Sequence, residues 1–306
     1  MTTSVIPKAF IWKRVHSLMG LWLVLFLLEH LLTNSQAALW LGENGQGFVR
    51  MVNALHNLPY LQAIEITLLG VPIAIHMGWG IRYALQSKSN AHKTDGSSPA
   101  LPKLGRNRAY SWQRITSWIL VFGIIGHVTK FRFLDYPYSV TQGNQSAYFV
   151  KLDKDENLAT VSSRLGVHLY DAEAVSQEIK NLKQKSRMIS GKQSLAEAKE
   201  SYQQQEAWVK ALQKASLRSN EVIAESSNFG SVTLLTVRET FKNPFYCILY
   251  TIFVLAACFH AFNGLWTFLL SWGLVIRLVA QRYLLKFAIA LMGLIAFLGL
   301  AAIWGS

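Results

Sequence analysis

From Leu18 to Leu32 the chain reads L-M-G-L-W-L-V-L-F-L-L-E-H-L-L, apolar except for Glu29 and His30. With its flanks, from His16 to Asn34, the stretch is long enough for a helix that crosses a hydrocarbon layer roughly 30 Å thick. An ionisable residue inside such a helix is costly, and its presence points to a partner or a task. Three further apolar stretches each carry a histidine: His76, His127 and His260.

The chain has 306 residues, 51% of them hydrophobic, and a mean hydropathy of +0.23. The apolar residues fall into five blocks, at about 11–34, 61–85, 112–134, 245–270 and 284–304. Blocks of that length predict an all-α integral membrane bundle of five transmembrane helices. The second block contains Pro72, which a membrane helix tolerates because neighbours re-satisfy the freed carbonyl.

A formal charge of +13 invites a nucleic-acid reading, but its distribution argues against one. Between Asp135 and Pro244 there are 14 Lys/Arg against 13 Asp/Glu, whereas the rest holds 16 Lys/Arg against four carboxylates, Glu29, Glu43, Glu65 and Asp95. The excess therefore flanks the apolar blocks, at the N-terminus, in the 86–111 loop and near Arg277 and Arg282. In a five-span chain all three lie on one side, and the positive-inside rule makes that side the cytoplasm. The expected location is the cell inner (cytoplasmic) membrane, multi-pass, with residues 135–244 and the C-terminus outside. Lys130 and Arg132, at the outer end of the third span, run against this pattern.

Other processing and metal chemistry find little support. A cleavable leader would end near Ser35-Gln36-Ala37, but the apolar run is long for one and carries Glu29-His30. Cys247 and Cys258 share one apolar block, 11 residues apart, so one helix cannot bring them together. There is no C-x-x-C-H for covalent haem attachment.

The chain thus divides into 1–134 with the first three spans, 135–244 as an extracytoplasmic helical insertion, and 245–306 with the last two. Within the insertion Val175, Leu182 and Ile189 recur every seven residues, as do Leu195, Tyr202 and Val209, with a break at Gly191. That pattern predicts two amphipathic helices folded back as a hairpin, acting as a spacer or subunit contact.

The histidines gain meaning from their depth. Spans one and three rise from inside to outside, placing His30 and His127 about 4 and 7 residues, or roughly 6 and 10 Å, from their outer ends. Spans two and four descend, placing His76 and His260 about 9 and 10 residues, or roughly 14 Å, from their inner ends. Two levels with two histidines each suit two haems held through both axial positions in dry, apolar surroundings. Zinc would usually need four ligands at one level, and a proton path would more often string carboxylates. His16, Ser17, Arg14, Arg82 and Arg114 lie toward the inner end, where they are candidates for pairing with propionates. Snorkelling to lipid headgroups is the other reading of these arginines.

The pieces R-V-H-S-L-M-G with L-L-E-H-L, A-I-H-M-G-W-G-I-R-Y, W-Q-R-I-T-S-W-I-L with G-H-V, and C-F-H-A-F-N-G-L-W-T-F with S-W-G together resemble a known family. It is the cytochrome b membrane subunit of succinate dehydrogenase and fumarate reductase, in its single-chain form with five helices and two haems. The resemblance implies two haem b groups, with His30 and His127 as ligands of the outer iron and His76 and His260 as ligands of the inner one. It also implies flavoprotein and iron-sulfur partner subunits, electron delivery to quinone, menaquinone in the two-haem type, and no succinate-oxidising site in this chain. The family joins spans three and four by a short loop, so the insertion of roughly a hundred residues is a departure. Glu29 and Glu65 are the carboxylates within the spans and thus the candidates for a quinone site, against a plainer reading as interfacial carboxylates. Alternatives to this function are the cytochrome b subunit of another quinone-linked dehydrogenase, such as a hydrogenase or formate dehydrogenase, and a haem-free transporter or scaffold.

Overall fold

A computed structural model describes residues 6–87, 105–142, 145–189 and 195–306. Most of the basic 86–111 loop and the break at Gly191 lie outside these residues.

Five helical spans are long and apolar enough to cross a membrane. The first is α1 (Lys8–Ser35). After a connector bearing α2 (Gln46–His56), the second span runs through α3 (Leu61–Ile64), a π-helical turn (Glu65–Gly70) and α4 (Val71–Gln86). The third is α5 (Gly105–Val128) continued by a π-helical turn (Thr129–Leu134). Pro72 explains part of the second span's distortion. It lacks the N–H that would bond Leu68 O one turn back, and the indole of Trp22 on α1 donates to that carbonyl instead.

The insertion carries a sheet as well as helices. Strands β1 (Tyr138–Gln142), β2 (Gln145–Asp153), β3 (His168–Tyr170) and β4 (Glu221–Ser226) form one antiparallel sheet of order β1-β2-β4-β3. Between them come α6 (Leu158–Leu165), α7 (Ala172–Ile189) and α8 (Leu195–Gln213), and after β4 comes α9 (Phe229–Phe241). The expected hairpin is present: α7 packs along α8, and Lys185 Nζ donates to Ser201 Oγ and Gln205 Oε1. The sheet that frames it is a correction to a purely helical insertion. Alternate residues of β2 and β4 feed two cores, as the two-residue period of a strand requires. Val150, Leu152, Val222 and Ala224 pack with α6, α9 and Phe48 and Val49 of α2. Ala147, Phe149 and Ile223 pack with Ala211 and Leu212 of α8.

The connector is therefore part of the insertion's fold. Asn53 Oδ1 on α2 accepts from the Gly230 N–H at 2.8 Å, and a Cβ on Gly230 would stand 2.6 Å from Val49 O. Arg238 on α9 grips Asp155 with two bonds of 2.7 and 2.8 Å, and Lys242 Nζ adds a third at 2.6 Å.

The chain returns to the bundle through α10 (Pro244–Ser271), with Pro244 in its first turn and the Asn243 side chain accepting from Phe245 N. It ends in α11 (Leu278–Trp304). Helix α10 packs on α1, α5 and α11, and α1 also packs on α4 and α11. Val24, Leu31, Tyr250, Val254, Phe262 and Ile295 form the bundle's core. Leu25, Phe122, Ile125, Ile252 and Phe297 face outward instead, which is the arrangement of a bundle solvated by lipid.

Candidate functional site

The packing of α1 on α4 and of α5 on α10 brings the four buried-span histidines into two pairs. His30 and His127 have ring centroids 5.8 Å apart with planes at 88°. His76 and His260 have centroids 6.2 Å apart with planes at 84°. A metal ion bonded to both imidazoles at about 2 Å separates ring centroids by roughly 6 Å, so both spacings fit one iron held between two rings. Among the described residues no group of three or more His, Cys, Asp or Glu side chains is placed to hold a metal ion. Each pair offers two imidazoles, the number that axial ligation of a haem uses. Thr116, level with His260, and His127 are 11 residues apart on α5, so the two pairs sit roughly 16 Å apart along the helices.

Neighbouring groups fix the ring orientations. His76 Nδ1 lies 3.0 Å from His16 O; a carbonyl only accepts, so Nδ1 carries the proton and Nε2 keeps its lone pair for a metal. Thr116 Oγ1 donates to Trp112 O at 2.8 Å and stands 3.4 Å from His260 Nδ1, leaving the hydroxyl oxygen to accept and the His260 Nε2 free. His127 Nδ1 meets the Tyr250 hydroxyl at 3.3 Å. Gln113 braces α5 on α10 by donating to His260 O at 3.0 Å and accepting from Asn263 Nδ2 at 2.8 Å.

Backbone and polar groups around the rings complete the site. A Cβ on Gly20 would fall 2.8 Å from His76 Cε1, so only glycine lets α1 pass this ring. Helices α4 and α5 meet at few points. Three buried polar atoms near the lower pair lack a hydrogen-bond partner among the described residues: His16 Nδ1, Arg114 Nε and Trp266 Nε1. Buried donors are rarely left alone, and these suit an anionic group such as a haem propionate. The residues present thus fit haem.

The other candidates divide. His16 stacks on His76, centroids 4.1 Å apart, and Arg114 reaches α4 by donating to Ala84 O at 3.1 Å. Arg14 and Ser17 are engaged elsewhere: Arg14 donates to Ser271 O at 2.8 Å and lies over the Trp272 ring, and Trp272 Nε1 donates to Ser17 Oγ at 3.2 Å. They knit the start of α1 to the end of α10. Arg82 lies over Trp79. Glu29 accepts from Thr33 Oγ1 on its own helix, and Glu65 is paired with Arg132 at 2.8 Å.

The succinate dehydrogenase cytochrome b558 subunit of Bacillus subtilis (strain 168) is 29% identical over 126 residues, which is 41% of this chain and 56% of that protein. This chain is similar to a cytochrome b subunit. The match spans little more than half of the relative's length. No family model matches and no solved structure matches. Sequence reasoning missed Thr116, Gln113, Tyr250 and Trp266. Three of them stand inside the quoted W-Q-R-I-T and C-F-H-A-F-N-G-L-W motifs, but only packing shows which face a histidine.

Proposed function

We propose that this chain is the dihaem cytochrome b anchor of a succinate:quinone oxidoreductase. The observation that carries the reading is the pair of metal-spanning histidine distances, 5.8 and 6.2 Å, on the four helices named by the motifs. The similarity to the Bacillus subtilis subunit supports the same assignment.

In this reading His76 and His260 hold the inner haem iron, and His30 and His127 the outer one. Haem supplies reversible one-electron chemistry when bound. The chain's own part is to orient the ligands and keep water away. His16 O and Thr116 Oγ1 hold the two inner imidazoles with Nε2 free. His16 Nδ1, Arg114 Nε and Trp266 Nε1 stand ready for the propionates. The basic end, with Lys8, Lys13, Arg14, Arg106, Arg108, Arg277 and Arg282, faces the cytoplasm and docks the iron-sulfur subunit, to which a flavoprotein delivers electrons. Quinone reacts at the outer, insert-covered end near Glu65, and menaquinone is the expected species. Residues 135–244 then lie outside the membrane.

The test is an optical spectrum of membranes containing the complex, before and after addition of succinate. Two b-type signals reduced by succinate are expected. Absence of haem absorbance would favour a transporter or scaffold, and haem that succinate leaves oxidised would favour another dehydrogenase.

A further inference from the structure

Behind the outer histidine pair stands a phenol with a single polar partner. The Tyr250 hydroxyl meets His127 Nδ1 at 3.3 Å, and among the described residues it makes no other hydrogen bond. Tyr250 is buried on α10, within the apolar core of the bundle. A hydroxyl there forgoes its hydration, and a phenylalanine would fill the same space without that loss. The group therefore has a use, and the imidazole is the polar atom within its reach.

The ring that carries the hydroxyl is boxed by other rings. Its centroid lies 5.8 Å from His127, 6.1 Å from Phe131, 5.4 Å from Phe241 and 6.0 Å from Phe253, with interplanar angles of 65, 77, 83 and 87°. Edge-to-face contacts of this kind fix the direction in which the hydroxyl points. Phe131 comes from the π-helical turn that ends the third span, Phe253 from α10 itself, and Phe241 from the end of α9 in the insertion. Phe241 is held in turn by its neighbours, because Arg238 and Lys242 both grip Asp155. Phe131 and Phe241 pack against the insertion's core and the bundle's core alike.

We propose that Tyr250, braced by Phe241 of the insertion, is a positioning residue that lowers the reduction potential of the outer haem, an assignment that rests on the function proposed above. With His127 bound to iron through Nε2, its Nδ1 keeps the ring proton and donates it, so the phenol oxygen accepts. The opposite sense, with Tyr250 donating to a bare Nδ1, would put the ring proton on Nε2 and abolish ligation. A hydrogen bond from Nδ1 makes the imidazole a more basic ligand. More electron density on the ligand favours the ferric state, which carries the extra positive charge, and the potential falls. The inner pair has its own partners, His16 O and Thr116 Oγ1, so this lever acts on the outer iron alone. The insertion thereby reaches that iron through one phenylalanine.

The experiment is a potentiometric titration of haem absorbance in membranes containing the full complex, joined to low-temperature electron paramagnetic resonance of the oxidised state. Wild type is compared with Tyr250→Phe, with Phe241→Leu and with a chain carrying 3-fluorotyrosine at position 250. Tyr250→Phe keeps the boxed ring and removes the acceptor. Its outer midpoint should rise, so that at the wild-type midpoint the reduced-to-oxidised ratio of the outer haem grows by roughly three- to tenfold, while the inner midpoint stays. The largest g value, which reads the angle between the imidazole planes, should also stay, because the box still holds His127. Fluorine makes the phenol oxygen a poorer acceptor in a ring of nearly unchanged shape and should raise the outer midpoint by less. Phe241→Leu opens the box from the insertion side and should raise it by less as well. An outer midpoint unmoved in Tyr250→Phe overturns the proposal, as does one unmoved in the fluorotyrosine chain where Tyr250→Phe fails to retain haem. Equal shifts at both haems, or a shift accompanied by a new g value, would show a merely structural role and overturn it too. An unmoved midpoint in Phe241→Leu overturns the insertion's share. A wild type without two haem signals, or with haems that succinate does not reduce, overturns instead the function on which the proposal rests.

Discussion

His76 and His260, 184 positions apart in the chain, face each other with ring centroids 6.2 Å apart and planes nearly perpendicular. The His76 ring is locked from behind by His16, through a stacked contact at 4.1 Å and the bond from Nδ1 to the His16 carbonyl. The His76 ring is thereby held in one orientation before any ligand arrives, which removes part of the ordering cost of binding.

Replacing one member of a pair should act on that pair alone. His30→Ala is expected to remove the outer haem signal and leave the inner haem reducible by succinate, whereas His260→Ala should remove the inner signal and interrupt electron entry. Low-temperature optical spectra of membranes resolve the two. Both signals surviving in His30→Ala would refute the ligand assignment.

Gly20 gives a subtler probe. The Cβ of Gly20→Ala would meet His76 Cε1 at 2.8 Å, whereas that of Gly80→Ala would stand 3.6 Å from His16 Cε1, an ordinary contact. Gly20→Ala should therefore shift or bleach the inner haem signal, and Gly80→Ala should not. Equal spectra for the two variants would show that the His76 ring is free to move aside.

The docking of α2 on α9 should be sensitive to a single methyl group. Gly230→Ala sets a Cβ 2.6 Å from Val49 O and 2.9 Å from Val49 Cα, and relieving the overlap should cost about 1–3 kcal/mol. Limited proteolysis of the solubilised protein should then cut the 35–60 connector faster than in wild type. An unchanged cleavage rate would mean the helices separate freely.

Asp155 anchors the insertion through Arg238 and Lys242. The bonds from Arg238 hold its carboxyl well below the usual carboxylate range. A depressed carboxylate stabilises the fold above its unfolded value of about 4 and loses that contribution as pH falls through the folded value. Asp155→Asn should thus destabilise the insertion by roughly 2 kcal/mol at neutral pH, between the values for exposed and buried pairs. The gap from wild type should narrow in acid. Thermal unfolding of the insertion at two pH values reads both effects, and a gap that widens in acid would contradict the linkage.

Topology is open to chemical labelling. Cys247 and Cys258 are buried, so added cysteines report with little background. With the N-terminus in the cytoplasm, a thiol reagent that cannot cross the membrane should label Ser176→Cys on intact cells lacking an outer barrier. Ile276→Cys, in the turn before α11, should react only after lysis. The reverse pattern would invert the bundle.

Much of the architecture was legible in the sequence because a bilayer allows so few solutions. An apolar run such as Leu18 to Leu32 has to become a helix that satisfies its own backbone, and the charged flanks and the histidines at matching depths follow from counting residues along it. The insertion was less legible for a physical reason. Its central strand β4 is buried on both faces, so V-I-A shows no apolar-polar alternation, and a short apolar run of that kind is indistinguishable from a helix segment by period. The seven-residue repeats in α7 and α8 were strong enough to be read because those helices keep one wet face. Only the tertiary structure decided what stands behind each histidine. Thr116, Tyr250 and Trp266 are ordinary residues of apolar helices until packing turns them toward an imidazole or leaves them unpaired. Phe241 carries no sequence signal at all. It ends the last helix of the insertion, and it becomes a wall of the site because only Lys242 and Asn243 separate α9 from α10, the helix that sets Tyr250 behind His127.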